Sequence, residues 1–503
     1  MSTPVALRPR RNLGRSQELI WASQRRRPQA PIANMANLYR IDGRLDPERF
    51  SAAFDAVVRG ADALRTVIAE VGGVPHPRLL VEPPASTEVL ELPADQVDAW
   101  AAARIAAPLD MAVCSYDSVL LRHGPEAWSW YLNLHHVIVD AWGATVVFRQ
   151  TATAYAGQPV ALPAFQDHLE AVDAAAQSEL WRKAAAHWAT PRDASAPAEL
   201  YRSGPETTRS ERVAVPFDAE RRHALQRALA GELRALSPDL GVLAVLATTL
   251  AVTLHRVSGR RRLRIAVPVH HRRTPADKAT VGLFMELFLL EVTVEPADTL
   301  RTVHTAVTRL AVRRAEVGAA RHQPRGDVDA VLNVITASAG PFGELPTRAR
   351  WVHSGHVDPA HRLRLQWYDF TGDGEVALVL DVNESAGDAV QRQRAAAHVA
   401  AVLDALLDDV DLPIGAVELV GADERREVFD AYNDRGPGAL PDALVTSALL
   451  AAARGGRLRA DRGRAQLERR RAGRTHRAHR RLASPPASPP ATGWGAAGPA
   501  PRP

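Results

Sequence analysis

Residues 128–143 read WSWYLNLHHVIVDAWG. Up to the histidines the residues follow the two-residue period of a strand. Trp128, Trp130, Leu132, Leu134 and His136 fall on one face, and Ser129, Tyr131, Asn133 and His135 on the other. The adjacent histidines therefore point in opposite directions, and one role cannot serve both. After VIV, Asp140 stands where the next helix, DAWGATVVFRQTATAYAG, should start. An aspartate there caps the first turn and is stabilised as an anion by the helix N-terminus. Three readings compete: two structural histidines plus a cap, a metal site, or one catalytic imidazole in a structural surround. Opposed histidines on a strand do not converge on one ion, and no cysteine or third ligand lies nearby, so no metal is expected. Histidine titrates near working pH, which suits a single proton-handling imidazole.

Outward from this stretch the pattern is α/β (α+β). SVLLRHGPEAWSW makes the same strand one arm of a hairpin, with Gly124-Pro125 in its turn. RLDPERFSAAFDAVV is a helix with Asp46 as its cap and Pro47 at its first position. Residues 15–189 form one lobe on this reading, residues 190–212 a polar linker, and residues 213–435 a second lobe. The second lobe offers strands in ERVAVPF, RLRIAVPV, LFLLEVTV and EVALVLDV, and helices in DAERRHALQRALAGEL, LGVLAVLATTLAVTLHRVSG and GDAVQRQRAAAHVAAVLDALL. The apolar run Gly241–Leu254 reads as a buried helix, too short to span a bilayer.

Composition narrows the function classes. The chain has 503 residues and one cysteine, Cys114, which excludes a disulfide framework and fits a cytoplasmic protein. The pI near 9.7 suggests nucleic acid at first sight. Residues 451–503, however, hold 13 Arg against two acids, which leaves residues 1–450 at −6. The basicity belongs to the tail, so neither a nucleic-acid nor a membrane partner is expected. Residues 1–14 read as a disordered arm. Residues 436–503 read as a linker remnant and a disordered Arg/Ala/Pro-rich tail. With 60 Arg and two Lys in the chain, that tail reads either as a basic extension or as a frameshifted or truncated adenylation-domain start.

The stretch HHVIVDAW resembles the HHxxxDG motif of nonribosomal peptide synthetase condensation domains. Other segments match in the same order. RSQELIWASQ (Arg15–Gln24) resembles the family's opening segment, and VVRGADALRT (Val57–Thr66) a later one. RIAVPVHHRR places Arg272 on a family arginine. VGLFMELFLL (Val281–Leu290) keeps Gly282 and Phe284, with Glu286 where the family has Asn. DAVLNVI puts Asn333 on a matching strand, and Pro413–Asp434 resembles the closing segment. The resemblance covers roughly residues 13–435.

It implies two chloramphenicol-acetyltransferase-like lobes forming a V-shaped pseudo-dimer, with a tunnel between them. Two partner carrier proteins would present substrates on phosphopantetheine arms, and the enzyme would hold no cofactor of its own. An amine on one arm would attack an acyl or peptidyl thioester on the other, making an amide. On this resemblance His136 is catalytic, and His135, Asp140, Ala141 and Arg272 support the motif, with Asp140 paired to Arg272. Trp142, Gly282, Glu286 and Asn333 are expected along the tunnel. His270 and His271 read as a loop beside Arg272. The motif glycine is replaced by Ala141, which would strain the turn only if φ there is positive. A monomer is expected. Two alternatives stand beside this function: a freestanding acyltransferase of the same superfamily acting on a soluble acceptor, and a non-catalytic recruitment domain.

Overall fold

The computed structural model describes residues 6–9, 13–175, 204–317, 328–370 and 376–431, with isolated positions between 178 and 201. Eleven of the 23 residues of the expected linker at 190–212 and all of the tail at 436–503 lie outside the described residues. One compact unit spans residues 1–421 and holds every sheet. A second unit starts at Ala422, with the helix Ala422–Arg426 and a π-helical turn Glu427–Ala431.

Two sheets position the site. The first has five strands, in the order β12 (Thr347–Val352), β2 (Asn34–Asp42), β7 (Ala127–His135), β6 (Tyr116–Gly124) and β5 (Glu88–Glu91). The second has six, in the order β10 (Met285–Thr293), β9 (Arg262–His270), β11 (Ala330–Ile335), β13 (Leu363–Tyr368), β14 (Ala377–Asn383) and β8 (Ser210–Ala214). In the second sheet β11 runs parallel to both β9 and β13, and the other pairs are antiparallel. The result is a two-lobed α/β fold.

Strand β7 shows why its sequence alternates. Trp128, Trp130, Leu132 and Leu134 enter one core with Phe50, Phe54 and Phe148, while Tyr131 enters another with Val119 and Leu121. Trp130 is the hub of the first core. Its ring lies 5.0 Å from Phe50 and 5.7 Å from Phe54, both edge-on, and its Nε1–H donates to Ser118 Oγ at 3.0 Å. The helix Pro238–Ser258 anchors the second lobe. Ser237 Oγ accepts from the Leu240 N–H, and the helix stops at Gly259, whose φ of +72° suits glycine. The helix has 21 residues, long and apolar enough to cross a bilayer, so the length argument from the shorter apolar run does not hold. Burial accounts for its composition instead: residues from Leu243 to Leu254 pack against Leu300, Val303, Val399 and Leu403 in the lobe's own core.

Two expectations need correcting. Within the arm expected at 1–14, Ala6–Pro9 forms strand β1, antiparallel to β4 (Val74–Leu80), and Leu13 is buried. Nor does the range 213–435 stay in one lobe. Strand β12 crosses over and pairs with β2 along Thr347–Val352, covering what would otherwise be an open sheet edge. Val281, Leu283, Phe284 and Phe342 likewise pack into the core around Trp130. The sequence shows no periodicity that reports such a crossing, because a strand carries the same alternation whichever sheet it joins.

Trp130→Ala should cost roughly 3–5 kcal/mol, since it removes the ring on which the surrounding aromatics pack. Urea unfolding should show a lower midpoint with an unchanged slope. A midpoint shift worth less than about 1 kcal/mol would contradict the hub role.

Candidate active site

The two histidines end β7 in different surroundings. The buried His135 donates its backbone N–H to the Ser115 carbonyl, and its Nδ1 accepts from the Val137 N–H at 3.1 Å. Burial, aided by the neighbouring His136, pushes its pKa down to about 3, so the ring stays neutral. His136 instead faces a cavity of about 880 Å³. Its backbone N–H donates to the Ala33 carbonyl, and its Nδ1 lies 2.9 Å from the Val139 carbonyl oxygen. A carbonyl can only accept, so Nδ1 carries the hydrogen and Nε2 keeps a lone pair in the neutral ring. Burial lowers the pKa of His136, against the Val139 bond and the Asp140 charge, and Arg364 adds to the lowering.

Asp140 holds this turn to the other lobe. Its Oδ1 accepts from the Gly143 N–H at 2.8 Å and from Arg272 Nη2 at 2.9 Å, and its Oδ2 accepts from the Phe284 N–H at 2.9 Å. The Arg272 side chain is fully buried and the Asp140 side chain 5% exposed. Arg272 also donates to the carbonyls of Asp277, Thr280 and Gly282, with its guanidinium 4.1 Å from the centre of the Phe284 ring.

Ala141 is the first residue of the helix Ala141–Tyr155, where φ is negative, so its methyl adds no backbone strain. The glycine that close packing demands is Gly143. A Cβ there would sit 2.5 Å from Val139 Cγ2 and 3.0 Å from the Gly282 oxygen.

Of the four residues expected along the tunnel, Trp142 and Asn333 line the cavity, and Gly282 and Glu286 do not. Gly282 lies behind the wall, where a Cβ would stand 2.1 Å from a ring carbon of Phe165. Glu286 sits between Met285 and Leu287, which line the cavity, and reaches His271 Nε2 at 3.2 Å. His271 is thus the loop residue the sequence suggested. His270 lines the cavity, its ring 5.7 Å from that of Trp142. Among the described residues no group of three His, Cys, Asp or Glu side chains is arranged to hold a metal ion.

Sequence reasoning placed Asn333 of β11 here but missed the rest of the polar wall opposite. Arg212, Arg364 and Asp381 come from β8, β13 and β14 and line the cavity with it, and His353 and His361 stand beside them. Burial pushes His353 and His361 down to about 4, so both are neutral near pH 7. The signal was present in LRLQWY: Leu363 and Leu365 enter the core, while Arg364 and Gln366 alternate with them on a strand that is central in its sheet.

Residues 11–324 match the condensation-domain family, and the chain belongs to it. Over 319 residues it is 28% identical to the isonitrile lipopeptide synthase of Streptomyces coeruleorubidus, which covers 60% of this chain and 21% of that protein. The chain therefore spans about a fifth of that relative's length. Its fold matches the first condensation domain of the calcium-dependent antibiotic synthetase with a TM-score of 0.68 at 19% identity, over 82% of this chain and 99% of the other. It also matches a variant of the starter condensation domain of rhizomide synthetase in complex with C8-CoA, at a TM-score of 0.67 and 22% identity, over 81% and 97% of the two chains. These likenesses establish the two-lobed, chloramphenicol-acetyltransferase-like fold.

Asp140→Ala would leave the Arg272 cation and the Phe284 N–H without their acceptor. A loss of roughly 3–5 kcal/mol is expected, seen as poor solubility or a melting temperature lowered by several degrees; a variant that melts like the parent would contradict the brace.

Acid should also destabilise the fold. The folded pKa values of His135, His353 and His361 lie well below the 6.5 of the unfolded chain. Between these values the unfolded state binds more protons, so the stability is complete above about pH 6.5 and falls as pH drops towards 4. Each such ring adds a slope of up to about 1.4 kcal/mol per pH unit. Urea midpoints that stay flat from pH 7 to 5 would count against neutral buried rings.

Proposed function

We propose that this chain joins an acyl or peptidyl thioester, carried on the phosphopantetheine arm of one carrier protein, to the amine of an amino acid presented by a second carrier. The observation that carries the reading is the His136 geometry. A neutral imidazole has its Nδ1–H fixed by the Val139 carbonyl, and its Nε2 is free to face a large cavity. Family membership adds the thioester chemistry as the reaction class.

The thioester is already activated, so alignment of the two substrates supplies most of what the reaction needs. The amine nitrogen bonds to the thioester carbonyl carbon. The nitrogen becomes acidic as that bond forms, and His136 Nε2 takes its proton. The carbon–sulfur bond then breaks, and the departing sulfur receives the proton from the imidazolium. His135 and Asp140 are positioning residues in this scheme: His135 lies behind the strand, and Asp140 fixes the turn that carries the Val139 carbonyl.

His136→Ala should lower condensation about 10²-fold or more while melting within a few degrees of the parent. The assay follows amide formation between acyl-loaded and aminoacyl-loaded carriers by mass spectrometry, with a free amino acid as a parallel acceptor. Unchanged turnover would remove His136 from the mechanism. Turnover with the free acceptor alone would replace the carrier-bound reading by a soluble-acceptor acyltransferase.

A further inference from the structure

We propose that Arg364 makes the middle of the cavity an anion subsite, and that one of the two condensing substrates bears a carboxylate that it receives. The inference rests on the reading that acyl transfer occurs beside His136. It names a feature of the substrate that this reading leaves open.

The argument starts from strand register. Asp381 on β14 stands opposite Arg364 on β13 and opposite Arg212 on β8. One aspartate therefore lies between two arginines across neighbouring strands, all three lining the same cavity. The aspartate is committed to one side. Arg212 grips it through both nitrogens, Nε to Oδ1 at 2.7 Å and Nη2 to Oδ2 at 3.0 Å, and Gln366 Nε2 donates to Oδ2 at 2.7 Å. Asn333 Nδ2 donates in turn to Gln366 Oε1 at 3.0 Å, which holds the amide in that orientation. The other acid near Arg364, Asp358, accepts from Ser23 Oγ and the Ala360 N–H.

Arg364 is left over. Its Nε is buried with no hydrogen-bond partner, and among the described residues no carboxylate approaches its guanidinium within ion-pairing distance. Burial pulls its pKa down, as expected of a cation short of acceptors. Its neighbours His353 and His361 are neutral, and its charge is felt at His136. The wall therefore presents a guanidinium with no carboxylate bound to it, although Asp381 and Asp358 lie within reach of its charge. A guanidinium suits a carboxylate because its parallel N–H groups match the two oxygens.

The phosphate of a phosphopantetheine arm cannot fill this role. The full pantetheine chain separates it from the thioester sulfur, whereas Arg364 lies close to the residue that faces the thioester. An amino acid held on a carrier has its own α-carboxyl consumed in the thioester. Three sources of carboxylate remain: a dicarboxylic acyl donor, an acidic side chain on the acceptor, or the α-carboxylate of a free amino acid.

Calorimetric titration of the whole chain with three matched pairs separates these sources. The first pair is the aminopantetheine amides of glutarate and of pentanoate, and the second those of glutamate and of glutamine. The third is free leucine and leucinamide. In one pair the acid should bind about tenfold tighter or more than its neutral partner. Arg364→Met should abolish the difference, and Arg364→Lys should keep part of it. Without ligand, Arg364→Met should also melt higher than the parent, because a desolvated guanidinium with no carboxylate bound to it is gone. Absence of a carboxylate preference in all three pairs, a preference that survives Arg364→Met, or a lower melting temperature in that variant would each overturn the subsite. Binding is read without turnover. An inactive chain that prefers the carboxylate defeats only the proposed reaction, and an active chain without the preference defeats only the subsite.

Discussion

The contact between Asp140 and Arg272 is the constraint on which the rest of the site depends. Both groups are out of water, so each is tolerable only while the other is present. Neither acts through charge alone. Asp140 also accepts from Gly143 and Phe284, and Arg272 donates to three carbonyls. One carboxylate thus caps the helix Ala141–Tyr155 and pins the 280–284 segment of the other lobe against it. Gly143 permits the close approach, because any Cβ there would meet Gly282 and Val139. Such a pair adds little net stability over an apolar substitute. What it adds is position, since the Val139 carbonyl precedes Asp140 directly and sets the His136 ring.

That ring is a weak base. Its pKa lies below the usual histidine value because the ring is packed into the protein and because Arg364 is close. A weak base would be poorly matched to deprotonating a free ammonium. It is well matched to a nitrogen already bonded to the carbonyl carbon, whose proton is far more acidic. The proposed reaction is of this kind: the thioester and the alignment of two substrates do most of the work, and the imidazole removes a proton late.

Much of this was legible in the sequence, for local reasons. The alternation in WSWYLNLHH marks the strand and sets His135 and His136 on opposite faces. Asp140 announced its helix, and the apolar run ending at Gly259 announced another, which the structure starts two residues earlier, at Pro238. Pairing partners were not legible. RARWV reads equally well as a strand of either lobe, and only the open edge of β2 decides where it goes. Glu286 was expected along the tunnel because it stands where the family has Asn, yet it lies between Met285 and Leu287 with its side chain turned to His271, and a one-residue step along a strand reverses the side chain. The Ala6–Pro9 strand has no pattern of its own and exists through β4.

The wall of β8, β11, β13 and β14 shows how a fold can leave a guanidinium with no carboxylate bound to it without an error of packing. Asp381 sits opposite Arg364 in register as directly as it sits opposite Arg212. Two oxygens cannot serve two bidentate guanidinium groups and an amide. Gln366 takes part of Oδ2, and Arg212 takes the remainder of both, with its cation 4.4 Å from the centre of the Trp351 ring. Burial pushes the Asp381 carboxyl up, but Arg212, with help from Arg364, holds it well below the usual carboxylate range, so it stays an anion. Had the wall been shaped for stability alone, a leucine at 364 would continue the apolar lining of Met285, Leu287 and Ile335. A guanidinium in that position raises the energy of the empty cavity and lowers it only when an anion arrives. The charge on this wall therefore belongs to substrate selection, whereas the charge pair behind His136 belongs to the architecture.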